Sequence, residues 1–225
     1  MKFLIFILLA LTTFAQQKTV YVAYIDSEID LGLAPYVSRV ISEAEQNNAD
    51  AIIFKINTFG GRVDAATQIK DAIISSKILT IAFINNRAIS AGALIALSCN
   101  KIVMVPGSSI GAATVVDETG KKQSEKYQSY MRSEMRSTAE KNGRRMDIAE
   151  GMVDERVVVE GLVDSTKLIT LTAEEAHKYL IADTVLTNFN ELLSAFDLKN
   201  AKEVSIISNW AEDVVKFLNN PIISS

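Results

Sequence analysis

Two apolar runs, residues 51–56 and 78–84, flank a stretch at 63–75 in which Ala66, Ile69, Ala72 and Ile73 recur at helical spacing. Runs rich in isoleucine and too short to make helices read as strands buried on both faces, and the amphipathic stretch between them reads as the helix that carries the chain from one to the next. The alternation continues in both directions. Residues 20–25 predict a strand, 33–46 a helix with Val37, Val40, Ile41 and Ala44 inward, 91–97 a short apolar helix, and 101–105 another strand. Such an order builds an α/β domain from stacked βαβ units. With 225 residues and 48% hydrophobic composition the chain can fill one sizeable core, and a single domain is expected.

The turns that leave the two central strands carry the residues suited to chemistry. After 78–84 comes Ala88-Ile89-Ser90-Ala91-Gly92-Ala93. A serine set among small residues where a strand yields to a helix projects its hydroxyl at the helix N-terminus, where free N–H groups favour developing negative charge. Ser90 is therefore the candidate nucleophile, against the plainer reading of a helix-capping serine. After 51–56 comes Asn57-Thr58-Phe59-Gly60-Gly61, whose paired glycines let the backbone turn sharply and aim N–H groups at a bound carbonyl. The N–H groups of Gly61 and Ala91 are the expected oxyanion donors.

The remaining sequence sets limits. Met1-Lys2, an uncharged run to Ala15 and the polar Gln16-Gln17-Lys18 have the layout of a secretory signal, with an uncleaved anchor as the alternative. The net charge is −4, and losing Lys2 with residues 1–15 would leave −5, which argues against nucleic acid as a partner. Arg144-Arg145 with Lys141 is the one compact basic cluster, expected at a helix end to cap carbonyls or face solvent. A lone cysteine, Cys99, sits in apolar sequence and reads as a buried small residue. One histidine and one cysteine rule out a His-rich or Cys-rich metal site, and no carboxylate spacing suggests another. Residues 114–124 are polar, contain Gly120, and predict a mobile loop near the active face. Residues 125–142 predict a long helix whose stripe of Tyr127, Tyr130, Met131, Met135 and Thr138 suits core or subunit contact. Thr172 is the expected N-cap of a late helix that carries His177.

Taken in order and spacing, Asn57-Thr58-Phe59-Gly60-Gly61, Ala88-Ile89-Ser90-Ala91-Gly92 and Met104-Val105-Pro106-Gly107-Ser108-Ser109-Ile110-Gly111 resemble the glycine turn, serine elbow and proline-glycine loop of the NfeD family. Its members are membrane-bound relatives of the Clp protease and signal peptide peptidase A class. The resemblance runs from about residue 20 to about residue 196, and it implies the crotonase-like (Clp protease-like) ββα superhelix. It divides the chain into a signal peptide at 1–15, a serine protease domain at 16–200, and a segment at 201–225 that would lead to a membrane region in full-length relatives. That last segment otherwise reads as a surface helix packing Trp210, Val214 and Phe217 onto the domain.

The family's activity would make this chain an exported Ser-Lys endopeptidase without cofactor or metal, acting on hydrophobic segments of a stomatin-like or flotillin-like membrane protein and forming dimers or larger assemblies. An extended peptide would add beside the strand preceding the elbow, contacting Phe59, Gly60 and Ile89. His177 lies in a capped surface helix, which favours a solvated or packing role, so the base is sought among lysines. Counting back from Gly143-Arg144, the archaeal members' lysine falls on Arg136, which cannot act as a base. Lys126 on the same helix is the substitute, with Lys121 and Lys122 behind it. Where the family ends the late helix with glycine, this chain has Leu180. Arg136 sustains a second reading, a catalytically silent scaffold that binds such a membrane protein. A third, an acyl-CoA enzyme of the crotonase type, is disfavoured by the export signal.

Overall fold

The computed structural model describes residues 17–117, 119–162 and 166–218, so the expected signal at 1–15 and the last seven residues lie outside it. Strands β1 (Thr19–Ile25), β2 (Ala51–Thr58) and β3 (Leu79–Ile89) form the parallel centre of an eight-stranded sheet, in register from Val20↔Ala51 and Ala51↔Leu79. Helices α1 (Leu33–Gln46) and α2 (Val63–Ser75) make the crossovers. Along β2, Ile52, Phe54 and Ile56 pack into the main core, while Ala51 and Ile53 face a smaller cluster on the other side. Burial on both faces explains why the strand shows little polar alternation.

Helix α3 (Ala91–Ser98) is buried at every position, so it must be apolar all round, as its sequence is. It approaches β2 closely because Gly92 has no side chain: a Cβ there would lie 2.5 Å from Thr58 Cγ2. β3 runs past the expected end at residue 84. The polar Asn85-Asn86-Arg87 hid this extension, which is held by new pairing. β4 (Lys101–Met104) pairs with the first half of β3, and β5 (Ser109–Gly111), from the proline-glycine loop, pairs with residues 87–89.

Helix α4 (Glu125–Lys141) buries Met131, Met135 and Thr138, but Tyr127 and Tyr130 of the expected stripe face outward. The short α5 (Met146–Gly151) follows, and β6 (Thr170–Thr172) joins β5 antiparallel. Thr172 then caps α6 (Ala173–Lys178) in a capping box with Glu175. Leu180 takes the left-handed conformation (φ 61°) that glycine holds elsewhere, while Ile181 N–H reaches Ala176 O at 2.8 Å and Leu180 N–H reaches His177 O at 3.1 Å. The closing turn is thus kept without glycine. Beyond β7 (Thr184–Val185) and α7 (Phe189–Ala195), β8 (Lys202–Ser205) pairs with β1 and leads to α8 (Trp210–Leu218). Trp210, Val214 and Phe217 are exposed on α8, which corrects the reading that they pack onto the domain.

The basic cluster divides. Arg144 is buried and donates to the carbonyls of Leu97, Cys99, Asn100 and Ile181, so it caps the end of α3 rather than its own helix. Arg145 stays at the surface, paired with Asp147. Cys99 is fully buried, as expected, and burial pushes its thiol up to about 12.

Candidate active site

Ser90 sits between β3 and α3 with φ 56° and ψ −122°. A non-glycine residue there is strained by about 1–3 kcal/mol and persists only where its surroundings over-determine it. The constraints are visible: Ser90 N–H donates to Gly111 O at 2.9 Å, and Ser90 O accepts from Ala93 N–H at 2.9 Å. Its hydroxyl makes no capping bond to the helix, which sets aside the helix-cap reading. Among the described residues nothing is hydrogen-bonded to Oγ, and the residue is half-buried.

The glycine turn lies against this serine. Gly60 (φ 114°) approaches so closely that a Cβ there would stand 2.5 Å from Ser90 Cβ and 3.0 Å from Ser90 Oγ. Gly61 (φ 153°) passes the backbone of Ile29, whose carbonyl oxygen would be 2.3 Å from an added Cβ. The turn is fastened on both sides: Ile29 N–H donates to Gly60 O at 2.9 Å, and Arg62 N–H donates to Ile29 O at 2.8 Å. Thr58 Oγ1 accepts from Gly60 N–H at 3.0 Å and donates to Ser27 O at 2.6 Å. With Gly60 N–H so engaged, the amides of Gly61 and Ala91 remain the candidate oxyanion donors. Thr58 and Ile29 were not singled out from sequence. A hydroxyl two residues before a glycine is a turn signal that would have found the first, whereas Ile29 is joined to the turn only by the fold.

Phe59 is 73% exposed, with the Arg87 guanidinium 4.2 Å from its ring centroid. Both line a groove that also includes Gly60, Gly61, Asp26 and Glu28. Ile89 is half-buried, and its backbone pairs with Gly111. β2 occupies one edge of β3, and β4 and β5 share the other. Pairing thus covers residues 81–84 and 87–89 of β3 on that side, which leaves a short stretch of its edge for an added peptide. In the neighbouring turn Phe59 and Gly61 are exposed, while Gly60 is buried against Ser90.

Lys126, in the first turn of α4, is exposed; none of the hydrogen bonds or ion pairs among the described residues joins it to Ser90. The preceding segment is tied down more than its composition suggests. Val116 and Lys122 form an isolated antiparallel bridge, and Asp117 accepts from Thr119 N–H, Thr119 Oγ1 and Lys121 N–H at 2.7–3.0 Å. Gln128 accepts from Val115 N–H at 3.2 Å and donates to Val115 O at 2.7 Å, stapling this turn to α4. Lys122 pairs with Glu155, and Lys121 is exposed. Arg136 pairs with Glu150 at 3.1 Å on the surface. His177 is exposed on α6, its ring nitrogen 3.5 Å from Ala182 O. Lys70 is the better shielded amine, but although burial lowers its proton affinity, hydrogen bonds to Asp71 and Glu134 outweigh that and raise it. Lys70 therefore stays charged and is no base. Among the described residues no group of histidine, cysteine and carboxylate side chains is arranged to hold a metal.

The chain is 35% identical over 210 residues to the membrane protein NfeD1b of Bacillus subtilis (strain 168), and 35% identical over 211 residues to the membrane-bound protease PH1510 of Pyrococcus horikoshii. The alignments take in 93% and 90% of this chain but 48% and 44% of those proteins, so it spans about half the length of either relative. Among solved structures, a lysine-to-alanine mutant of the 1510-N membrane-bound stomatin-specific protease, in complex with a substrate peptide, superposes with a TM-score of 0.76 at 28% identity, covering 91% of this chain and 99% of that one. A serine-to-alanine mutant of the same protease gives 0.73 at 29% identity, covering 86% and 99%. ClpP1 from Listeria monocytogenes gives 0.58 at 24% identity, covering 76% and 94%, a likeness of fold alone. Residues 19–206 match the NfeD1b N-terminal domain, and the chain accordingly belongs to that family and has its Clp protease-like fold.

Proposed function

We propose that the chain is a serine endopeptidase domain in which Ser90 attacks the peptide carbonyl and Lys126 is the base. The observation that carries this reading is the packing of Gly60 directly on a strained, uncapped Ser90. The amides of Gly61, next in the glycine turn, and of Ala91, next after the serine, serve as the oxyanion donors. In the reaction Lys126 Nζ takes the Ser90 proton as Oγ bonds to the carbonyl carbon, and the two amides receive the oxyanion. The proton then passes to the leaving amine, and water resolves the acyl-serine by the reverse route. A lysine serves as base only when desolvated. Because Lys126 is exposed, the bound peptide must supply that desolvation.

The substrate is a hydrophobic segment of a stomatin-like or flotillin-like membrane protein, laid over Phe59, Gly60 and Ile89. Two relatives support this, one named as a membrane protein and one as a membrane-bound protease, the latter stomatin-specific in its structures. Export by residues 1–15, a membrane-associated setting and a homodimer or larger assembly belong to the same proposal. A fluorophosphonate probe followed by mass mapping tests it: labelling is expected at Ser90. Ser90→Ala and Lys126→Ala should each remove nearly all hydrolysis of a hydrophobic peptide, and the double variant should be no worse than either, since members of one catalytic unit are not additive.

One observation favours a second reading. Among the described residues no titratable side chain is hydrogen-bonded to Ser90 Oγ, as a silent scaffold would have it. Equal inertness of the wild type and all variants, with retained peptide binding, would establish the scaffold. Activity gained in Arg136→Lys, with Lys126→Ala unaffected, would move the base to position 136.

A further inference from the structure

Helix α8 turns Glu212 to the domain: it is 7% exposed, takes Arg39 Nε at 2.7 Å and Nη2 at 2.9 Å, and accepts Asn209 N–H at 2.8 Å. Asn209 Oδ1 accepts in return from Ala211 and Glu212 N–H at 3.0 Å, so the helix start is closed by reciprocal capping. The apolar stripe at i, i+4, i+7 and i+8, Trp210, Val214, Phe217 and Leu218, points away, with Trp210 79% and Phe217 59% exposed. Ile207, just before the helix, is 77% exposed. A helix that folds for its own domain's sake buries this stripe. Here a charged clamp holds it outward.

The occupant is indicated by size and chemistry. The nine described residues of α8 make a helix about 14 Å long, too short to cross a hydrocarbon core of about 30 Å. One face of so short a helix offers much less than the roughly 800 Å² per partner of a stable protein interface, which disfavours a second copy of the chain. A short stripe of Trp, Phe, Leu and Val matches instead the headgroup and acyl boundary of a bilayer, where binding grows with the apolar area buried. We propose that α8 lies in the interfacial layer of a lipid bilayer and holds the domain against the membrane through its outward face. The proposal rests on the membrane-associated setting proposed above, and not on catalysis. Substrate access is affected as well. Ile206, Ile207 and Glu212 line a cleft with Asp26 and Glu28, and these two acids also line the groove at Gly60 and Gly61. Seating α8 on lipid brings the mouth of that groove to the bilayer surface, where it meets juxtamembrane segments.

Trp210 is the one tryptophan of the chain and reports the contact directly. Full-length chain is mixed with phosphatidylcholine vesicles bearing brominated acyl chains. Trp210 emission is expected to shift to the blue and lose most of its intensity, and to do so equally at about 1 M salt, because a chain of net charge −4 gains nothing from electrostatic attraction. The double variant Val214→Glu, Phe217→Glu keeps Trp210 and the Arg39–Glu212 clamp and should lose the quenching while hydrolysing a soluble peptide at the wild-type rate. An unquenched wild type overturns the proposal, as does equal quenching in the double variant. A blue shift that depends on protein concentration without lipid also overturns it, by showing a second copy on this face. Quenching in a preparation inert towards peptide would instead count against the peptidase reading alone.

Discussion

Gly60→Ala should disable Ser90 without replacing any side chain proposed for catalysis. Two costs arise from the geometry. The backbone at φ 114° is strained for an alanine by about 1–3 kcal/mol. The new methyl would also start 2.5 Å from Ser90 Cβ and 3.2 Å from Ile89 O, distances that force movement. Overpacking of this kind costs about 1–3 kcal/mol more, giving a stability loss of about 2–6 kcal/mol. Ser90 is held by backbone bonds on either side, so the serine and the glycine turn must separate, and a displacement of about 1 Å lowers turnover by about 10²-fold. Gly143→Ala is the matched control, with φ 66° and nothing within 4 Å of an added Cβ. It should cost about 1–2 kcal/mol from backbone strain and leave activity unchanged. The assays are the rate of fluorophosphonate labelling at Ser90, peptide hydrolysis and urea denaturation. Wild-type labelling in Gly60→Ala, or an equal loss in both variants, would refute the argument that contact with Ser90 is what position 60 provides.

Arg144→Met should lower stability by about 3–5 kcal/mol in urea denaturation, since it orphans carbonyls at the end of α3 and leaves Asp183 one cation short. Cys99, with its thiol pushed up to about 12 by burial, should resist iodoacetamide at about pH 8 in the native protein and react fully once urea unfolds it. Asp154 is held well below the usual carboxylate range by the hydrogen bond from Arg156 at 2.5 Å, with Arg132 adding to it at 3.3 Å. A depressed folded value means that its contribution is complete above the unfolded pKa of about 3.9 and is lost as pH falls below that. The urea midpoint should therefore drop below about pH 4, and Asp154→Asn should flatten that part of the profile.

The central strands and helices were legible because each segment's pattern and its burial agree: the inward residues expected for α1 are buried, and 51–56 is apolar for two faces. Ser90 and the Gly60–Gly61 turn were legible for a related reason, since steric demands on a tight turn leave a residue signature in the turn itself. Non-local pairing leaves none. The end of β3 is polar and is a strand only because β5 comes alongside it, and α8 shows an apolar stripe whose direction is set by Arg39, 173 positions away from Glu212. Leu180 shows the converse: a left-handed turn can be imposed on leucine when the bonds on either side, to Ala176 and His177, fix the backbone first. The proposed base belongs with the non-local features. Lys126 and Arg136 both stand on α4, which is tied down by Gln128 stapling the preceding turn and by Lys70 reaching Glu134 from α2. None of those contacts involves Ser90 or Lys126. Spacing along the chain therefore cannot rank Lys126 against position 136, and only chemistry does so: of the two, lysine alone can give up its proton to become a base.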